Sequence, residues 1–82
     1  MKKTIIQKAF DDYNNTVSQD YFLQFDEAKE GFVDESGRHP KYVACSNTWD
    51  LVFTFSTLKE LRERLDAEVL DAEAQEYNIS RI

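Results

Sequence analysis

The sequence is short of the residues that most often carry chemistry. Its 82 residues include one cysteine and one histidine. A single cysteine excludes an internal disulfide framework, and one cysteine with one histidine cannot supply the ligands of a usual zinc site. Cys45 lies in a predicted strand and His39 in a predicted loop, so a thiol–imidazole pair for nucleophilic catalysis is not indicated. We therefore expect no enzymatic activity, no metal and no cofactor.

Long apolar segments and chain-breaking residues are also scarce. The apolar runs are far shorter than the ~20 residues of a membrane-spanning helix, and polar residues interrupt the N-terminus before an apolar signal-peptide core can form. Two glycines, one proline and 41% hydrophobic residues are typical of a folded chain. The length predicts one compact domain, residues 1–82. Together these features predict a cytoplasmic protein that does not bind membranes.

Basic residues are outnumbered by acidic ones. Ten lysines and arginines stand against 16 aspartates and glutamates, which gives a net charge of −6. The acids concentrate in residues 11–35 and 66–82, on either side of a mildly basic middle. Nucleic acids and anionic membranes both require a basic face, so neither is an expected ligand. A basic protein is the partner that such a surface favours.

The most conspicuous feature that the sequence does contain is a strand pattern at residues 49–55. Side chains alternate between the two faces of a strand, and here one face is wholly apolar. The side chains on that face are Trp49, Leu51, Phe53 and Phe55. We interpret this face as the floor on which the helices pack.

Residues 41–45 are predicted to form the preceding strand, and the two strands are expected to pair as a hairpin. A two-residue turn at residues 47–48 would place Ala44 opposite Leu51. A three-residue turn at residues 46–48 would instead place Val43 opposite Leu51. The first register is favoured because it pairs large with small side chains on the covered face.

Earlier strand signals are weaker. Residues 21–25 are rich in strand-forming side chains, and residues 32–33 could add a short second strand before the polar loop at residues 34–40. The predicted fold class is α+β, an antiparallel sheet of three or four strands with two helices packed on one face. The predicted element order is α-β-(β)-β-β-α.

A helix is predicted at the N-terminus. Thr4 and Gln7 fit a capping box, and the helix is expected to end within residues 14–18. Its apolar stripe recurs at helical spacing. The stripe consists of Ile6, Phe10, Tyr13 and Val17.

The last element is predicted to be a helix over residues 57–77. Thr57 and Glu60 fit a capping box, and Glu60 stands four residues before Arg64, the spacing of a favourable ion pair. An apolar stripe runs along one side. It consists of Leu58, Leu61, Leu65, Val69 and Ala72.

A second set of apolar residues in the last helix, Leu70, Ala74 and Tyr77, lies off that stripe. Either the helix is kinked near residues 66–68, or its second half is apolar on two sides. A two-sided helix would offer a partner surface. The favoured interpretation is that Leu70 and Tyr77 fold back onto the sheet edge or the first helix.

The acidic residues suggest a function. A small acidic domain without a catalytic set has the character of a phosphate-backbone mimic, as small phage and plasmid inhibitors of host defence often do, anti-restriction and anti-CRISPR proteins among them. We expect a non-enzymatic inhibitor that occupies the basic groove of a nucleic-acid-processing protein as a DNA mimic. The expected partner-binding residues form two rows: Asp66, Glu68, Asp71, Glu73 and Glu76, and Asp26, Glu27, Glu30, Asp34 and Glu35. The alternative is a structural or regulatory protein that self-associates through the last helix, so the chain is expected to be a monomer or a homodimer.

Overall fold

The computed structural model describes the backbone of residues 2–80 and the side chains of residues 2–75. Within this range the chain forms two helices and a three-stranded antiparallel sheet, which confirms the predicted α+β fold class. The elements are α1 (Lys3–Asn14), β1 (Leu23–Glu27), β2 (Tyr42–Ser46), β3 (Leu51–Phe55) and α2 (Leu58–Ser80), with a 3-10 turn at Gln19–Tyr21. The optional strand at residues 32–33 does not form, and these residues belong to the loop between β1 and β2. Neither helix of this part of the chain has the apolar length that a bilayer crossing requires.

Helix α1 begins without the predicted capping box. Its N-cap residue, Lys2, makes no side-chain hydrogen bond, and the Gln7 side chain donates to Asp11 one turn further on, at 2.9 Å. The predicted stripe is confirmed at its centre, where Ile6 and Phe10 are buried. Burial of this stripe, rather than a cap, therefore holds α1 in place, as expected where packing dominates helix stability.

The end of α1 is tied to the start of β1 through one amide side chain. Asn14 donates from Nδ2 to the carbonyl of Leu23 and accepts at Oδ1 from the Leu23 backbone N–H, both at 2.9 Å. Tyr13 donates its hydroxyl to the Tyr21 carbonyl, also at 2.9 Å. These bonds hold the end of α1 against the segment that leads into β1, and the helix ends at Asn14, inside the predicted range.

The sheet is a meander with strand order β1-β2-β3. Phe25 pairs with Ala44, and Ala44 pairs in turn with Phe53. Neither predicted hairpin register is correct, because Leu51 pairs with Cys45 instead of Ala44 or Val43. A register shift between Ala44 and Cys45 marks a β-bulge that adds one residue to β3.

The hairpin loop explains this difference. It contains three residues, 47–49, closed by a bond from the Ser46 N–H to the Asp50 carbonyl at 2.9 Å. Trp49 takes a φ of 66°, the left-handed conformation that three-residue hairpin loops place at their last position. Trp49 is thus a loop residue and is 63% exposed, so its assignment to the covered face was wrong.

The bulge also moves Leu51 off the predicted face. Leu51 shares its face with Cys45, its partner across the ladder, whereas Phe53 and Phe55 belong to the core cluster under the helices. Leu51 is 54% exposed, while Phe53 and Phe55 are buried. The floor under the helices therefore uses half of the apolar side chains expected from β3.

Aromatic rings fill the space between the sheet and the helices. Phe10 of α1 lies with its ring centroid 5.3 Å from Phe25 and 6.0 Å from Phe55. Phe55 also stacks on Tyr42, at 5.3 Å between centroids. Ring pairs at these separations are each worth about 0.5–1.5 kcal/mol beyond their buried area.

Helix α2 begins with the predicted cap. The Thr57 hydroxyl accepts from the Glu60 N–H at 3.2 Å, and the Glu60 carboxylate accepts from the Ser56 N–H at 3.4 Å. Its predicted apolar stripe is confirmed, since Leu61 and Leu65 are buried in the core and Leu58 and Val69 pack against it; Ala72 is buried as well. The helix continues without interruption to Ser80.

Candidate partner-binding surfaces

The outer side of α2 carries exposed apolar side chains. Leu70 is 67% exposed, and Ala67 and Ala74, three residues before it and four after it, are exposed as well. Residues at this spacing lie on one side of a helix. The expectation that Leu70 folds back onto the sheet or α1 was therefore wrong, and α2 is apolar on two sides. The side chain of Tyr77 lies outside the described residues.

Acidic side chains flank this outer stripe. Asp66 and Glu73, seven residues apart, lie on the same side of the helix, and Asp71 lies on the other; all three are exposed. Among residues 2–75 the structure shows one ion pair, between Lys3 and Glu27, so these three carboxylates have no basic partner in that part of the chain. Glu76, expected in the same row, has its side chain outside the described residues.

Glu68 differs from its acidic neighbours because it is half-buried. It lines a shallow groove together with Tyr13 and Asp71. Burial, and next the negative charge of Asp71, raise the pKa of the Glu68 carboxyl above its ordinary value, while Arg64 opposes them. Glu68 thus lies against the body of the protein rather than in the outward row.

The acids of the second predicted row, in residues 26–35, make separate local contacts. The Asp26 carboxylate accepts from the Glu27 N–H at 2.8 Å, and Glu27 pairs with Lys3 at 2.8 Å on the surface. Glu30 is exposed. Solvent screens an ion pair this exposed, so it contributes little to stability. Asp26, Glu27 and Glu30 thus lie exposed on β1 and on the loop that follows it.

Asp34 organises the loop in which it lies. Its carboxylate accepts from the Ser36 hydroxyl at 2.6 Å, the Ser36 N–H at 2.9 Å and the Arg38 N–H at 2.9 Å. The hydroxyl bond from Ser36 is the main reason that the pKa of Asp34 lies below its ordinary value. Bonds to the ionised form favour it, so Asp34 closes its loop as a carboxylate.

A groove brings the end of this loop against β3 and the first turns of α2. Asp34 and Glu35 line it from the loop, and Glu60 and Glu63 line it from α2. The last two were not among the expected site residues. Their spacing in the sequence indicated only a capping role and helix pairing, and their proximity to the loop arises from the tertiary fold.

Arg64 lines the same groove but does not pair with Glu60 as its spacing suggested. Its guanidinium lies 5.4 Å from the centroid of the Phe53 ring. A guanidinium over an aromatic face is attracted by the ring quadrupole, by about 0.5–1 kcal/mol at an exposed site. Arg64 therefore covers Phe53, and the carboxylate of Glu60 caps the helix instead.

The two candidate nucleophilic or basic residues have separate surroundings. Cys45 is a buried free thiol, and burial, followed by the charges of Asp26 and Asp50, raises its pKa. A thiol with a raised pKa is protonated near neutral pH and is a poor nucleophile. The His39 ring lies in the loop, with Nδ1 3.0 Å from the Phe32 carbonyl.

No cluster of three or more potential metal ligands occurs in the part of the chain that the structure describes. Comparison of the chain with protein-family models, curated proteins and solved structures finds no match. The surfaces of the protein itself are thus the basis for a functional proposal.

Proposed function

We propose that this chain is a non-enzymatic binding module that presents the acidic part of α2 to a basic protein. The observation that carries the proposal is the set of exposed acids Asp66, Asp71 and Glu73, which have no ion partner among residues 2–75. From residue 66 to residue 75 the helix contains four acids and no base. Ion pairing within residues 2–75 does not account for this charge, which supports recognition of a basic surface.

The positions of these acids define the surface that a partner would meet. Asp66, Asp71 and Glu73 span about 10 Å of helix, at a rise of ~1.5 Å per residue, and none of them has an ion partner among residues 2–75. Such negative charge complements a basic groove that binds phosphates. The partner would be a nucleic-acid-processing protein in the cytoplasm, inhibited when its basic groove is occupied. An inhibitor of host defence encoded by a phage or plasmid is the specific form of this proposal.

The test is affinity capture of partners from lysates of the native host, at low and high salt. The wild type is compared with a double variant, Asp66→Lys with Glu73→Lys. The control is Asp11→Lys with Asp12→Lys on α1, which changes the net charge equally at exposed positions. We expect the wild type and the control to capture the same protein at low salt, and the α2 variant to lose it. Equal capture by both variants, insensitive to salt, would refute the proposal.

A second function, self-association, is favoured by the exposure of Leu70. A side chain of this size at 67% exposure, between the exposed alanines Ala67 and Ala74, could form the seam of a two-helix contact. The spacing of these residues, +3 and +4, is that of a coiled-coil seam. Sedimentation at micromolar concentration tests this function. A dimer that Leu70→Asp dissociates supports it, and a strict monomer excludes it.

A further inference from the structure

We infer that the groove beside β3 binds an extended, basic peptide segment of a partner protein. The groove has a volume of about 460 Å³ and lies between the β1–β2 loop, β3 and the first turns of α2. The inference rests on the proposed function for the expectation of a basic protein partner. It concerns a surface different from the outer side of α2.

The first support is the position of β3 in the sheet. β3 pairs with β2 on one side, and no other strand formed by residues 2–80 pairs with it. An edge strand leaves backbone N–H and C=O groups for an added chain, and extended peptides bind beside such edges. The edge therefore favours an extended ligand over a helical one.

The second support is the apolar floor. Val33 and Leu51 are 48% and 54% exposed, and both line this groove beside Phe32. Single exposed apolar side chains are ordinary on protein surfaces. Here, however, the β-bulge has turned Leu51 away from the core, and bulges often re-aim a side chain at a functional site. The floor suits an aliphatic side chain of the ligand.

The third support is charge. Glu35 borders the groove from the loop and Glu63 borders it from α2, and both are exposed. Asp34 and Glu60 add negative charge, while Arg64, the one base of the lining, lies over Phe53. Acids on two sides of an apolar floor complement a segment in which lysines or arginines flank an aliphatic residue. A second copy of this chain, with a net charge of −6, is a poorer occupant.

The experiment uses a short fluorescent peptide of alternating lysines and valines, and fluorescence anisotropy as the measurement. One control peptide carries glutamates in place of lysines, and another carries serines in place of valines. We expect saturable binding of the lysine–valine peptide that weakens with salt, and at least tenfold weaker binding of both controls. Failure of the lysine–valine peptide to bind, or equal binding of the serine peptide, would overturn the inference.

Paired variants locate the binding site. Leu51→Asn and Glu63→Lys change exposed side chains of the groove, while Leu70→Asn and Asp71→Lys make the same changes on α2 outside it. All four positions are exposed, so the fold should persist, and circular dichroism checks this. Each groove variant should weaken peptide binding about tenfold, as expected for a central interface residue. Equal weakening by the α2 pair would contradict the assigned site.

The Asp66→Lys, Glu73→Lys variant separates failure of this inference from failure of the proposed function. In one outcome the α2 variant loses the captured partner, while the groove variants keep the partner but bind no peptide. The proposed function then stands and the groove inference fails. In the opposite outcome the groove variants lose both the partner and the peptide, while the α2 variant retains both; the groove inference then stands and the proposed function fails. Sedimentation of Leu51→Asn beside the wild type tests the alternative occupant: a wild-type dimer that this variant dissociates would also overturn the inference.

Discussion

The two parts of helix α2 differ in what their side chains do. In residues 58–65, Leu61 and Leu65 enter the core, and three bases outnumber two acids. In residues 66–75, four acids occur without a base, and Leu70 is the most exposed large hydrophobic side chain of the described structure. The first part of α2 thus covers the core, and its second part presents an accessible acidic surface.

Charge and burial therefore have separate causes along one helix. Mixed charges in the first part accompany a well-packed stripe, with Glu60 used as a cap and Arg64 used over Phe53. The stripe continues into the second part through Val69 and Ala72. The acids there contribute neither a cap nor an ion pair within residues 2–75, and this contrast is the basis of the proposed function.

The largest expected effect contrasts two leucines of α2. Leu61 is fully buried and Leu70 is 67% exposed. Leu61→Ala should lower the free energy of unfolding by about 2–5 kcal/mol, because it leaves a cavity in the core. Leu70→Ala should change it by less than ~0.5 kcal/mol. Denaturation in urea, followed by circular dichroism, measures both. Similar losses of unfolding free energy in the two variants would contradict the distinction between a buried first part and an exposed second part of α2.

An intermediate effect is expected at Tyr13, which lines two grooves together with residues from both parts of α2. Tyr13→Phe removes the bond to the Tyr21 carbonyl and should cost about 1 kcal/mol of unfolding free energy. Phe10→Tyr is not a suitable control, because it would bury a new hydroxyl. Tyr21→Phe is suitable: it removes an exposed hydroxyl bond to Gln75 and should cost less than ~0.5 kcal/mol.

Tyr13 also predicts a pH dependence. Burial raises the pKa of its hydroxyl from 10.0 to about 12 in the folded protein. The folded state then holds this proton more tightly than the unfolded chain, so the stabilisation is complete below pH 10 and is lost as the pH rises toward 12. Comparison of unfolding curves at several alkaline pH values should show a shallower loss in Tyr13→Phe than in the wild type. If the unfolding free energy of wild type and Tyr13→Phe fell equally with rising pH, Tyr13 would not be the cause of the pH dependence.

The smallest effect is expected at Glu68, the acid that differs from its exposed neighbours. Its pKa is raised because burial and Asp71 disfavour the charged form, so the charge weakens the fold at neutral pH. Glu68→Gln should leave stability unchanged or increase it by up to ~0.5 kcal/mol. Asp66→Gln, at an exposed site, is the control. Thermal unfolding at neutral pH compares the two, and a clear loss in Glu68→Gln would show that its charge is needed.

Local sequence signals predicted the helices and the order of the strands. In α2 the Thr57 cap and the regular spacing of Leu61 and Leu65 agree with each other, and the structure confirms both. The fold class followed from these elements, because one apolar stripe on each helix requires an apolar sheet face to cover it.

The hairpin register could not be predicted in the same way. The loop at residues 47–49 places Trp49 in a left-handed conformation without a glycine, and β3 gains a bulge. The loop is closed by short-range hydrogen bonds, including one from the Asp50 N–H to the Ser46 hydroxyl, and no glycine in the sequence marks its left-handed position. A single added residue reverses the faces of the side chains beyond it, which is why Trp49 and Leu51 were assigned to the wrong surface.

The role of the acids as partner-binding residues stays a prediction, and the sequence did not show which of them are exposed. Charge counting identified the acids of α2, but it could not distinguish the half-buried Glu68 from the exposed Asp66. It also missed Glu60 and Glu63, because their place beside the β1–β2 loop depends on contacts between segments distant in the sequence. Burial and tertiary proximity are properties of the fold, and composition alone does not contain them.

The most direct test of the account measures how partner binding depends on salt and on competing DNA. The captured partner is titrated with the wild type, with the Asp66→Lys, Glu73→Lys variant and with the Asp11→Lys, Asp12→Lys control. Wild type and control are expected to bind with affinities that fall steeply with salt and to displace DNA from the partner, whereas the α2 variant should do neither. Equal affinities and equal salt dependence for the two variants would contradict the proposed function.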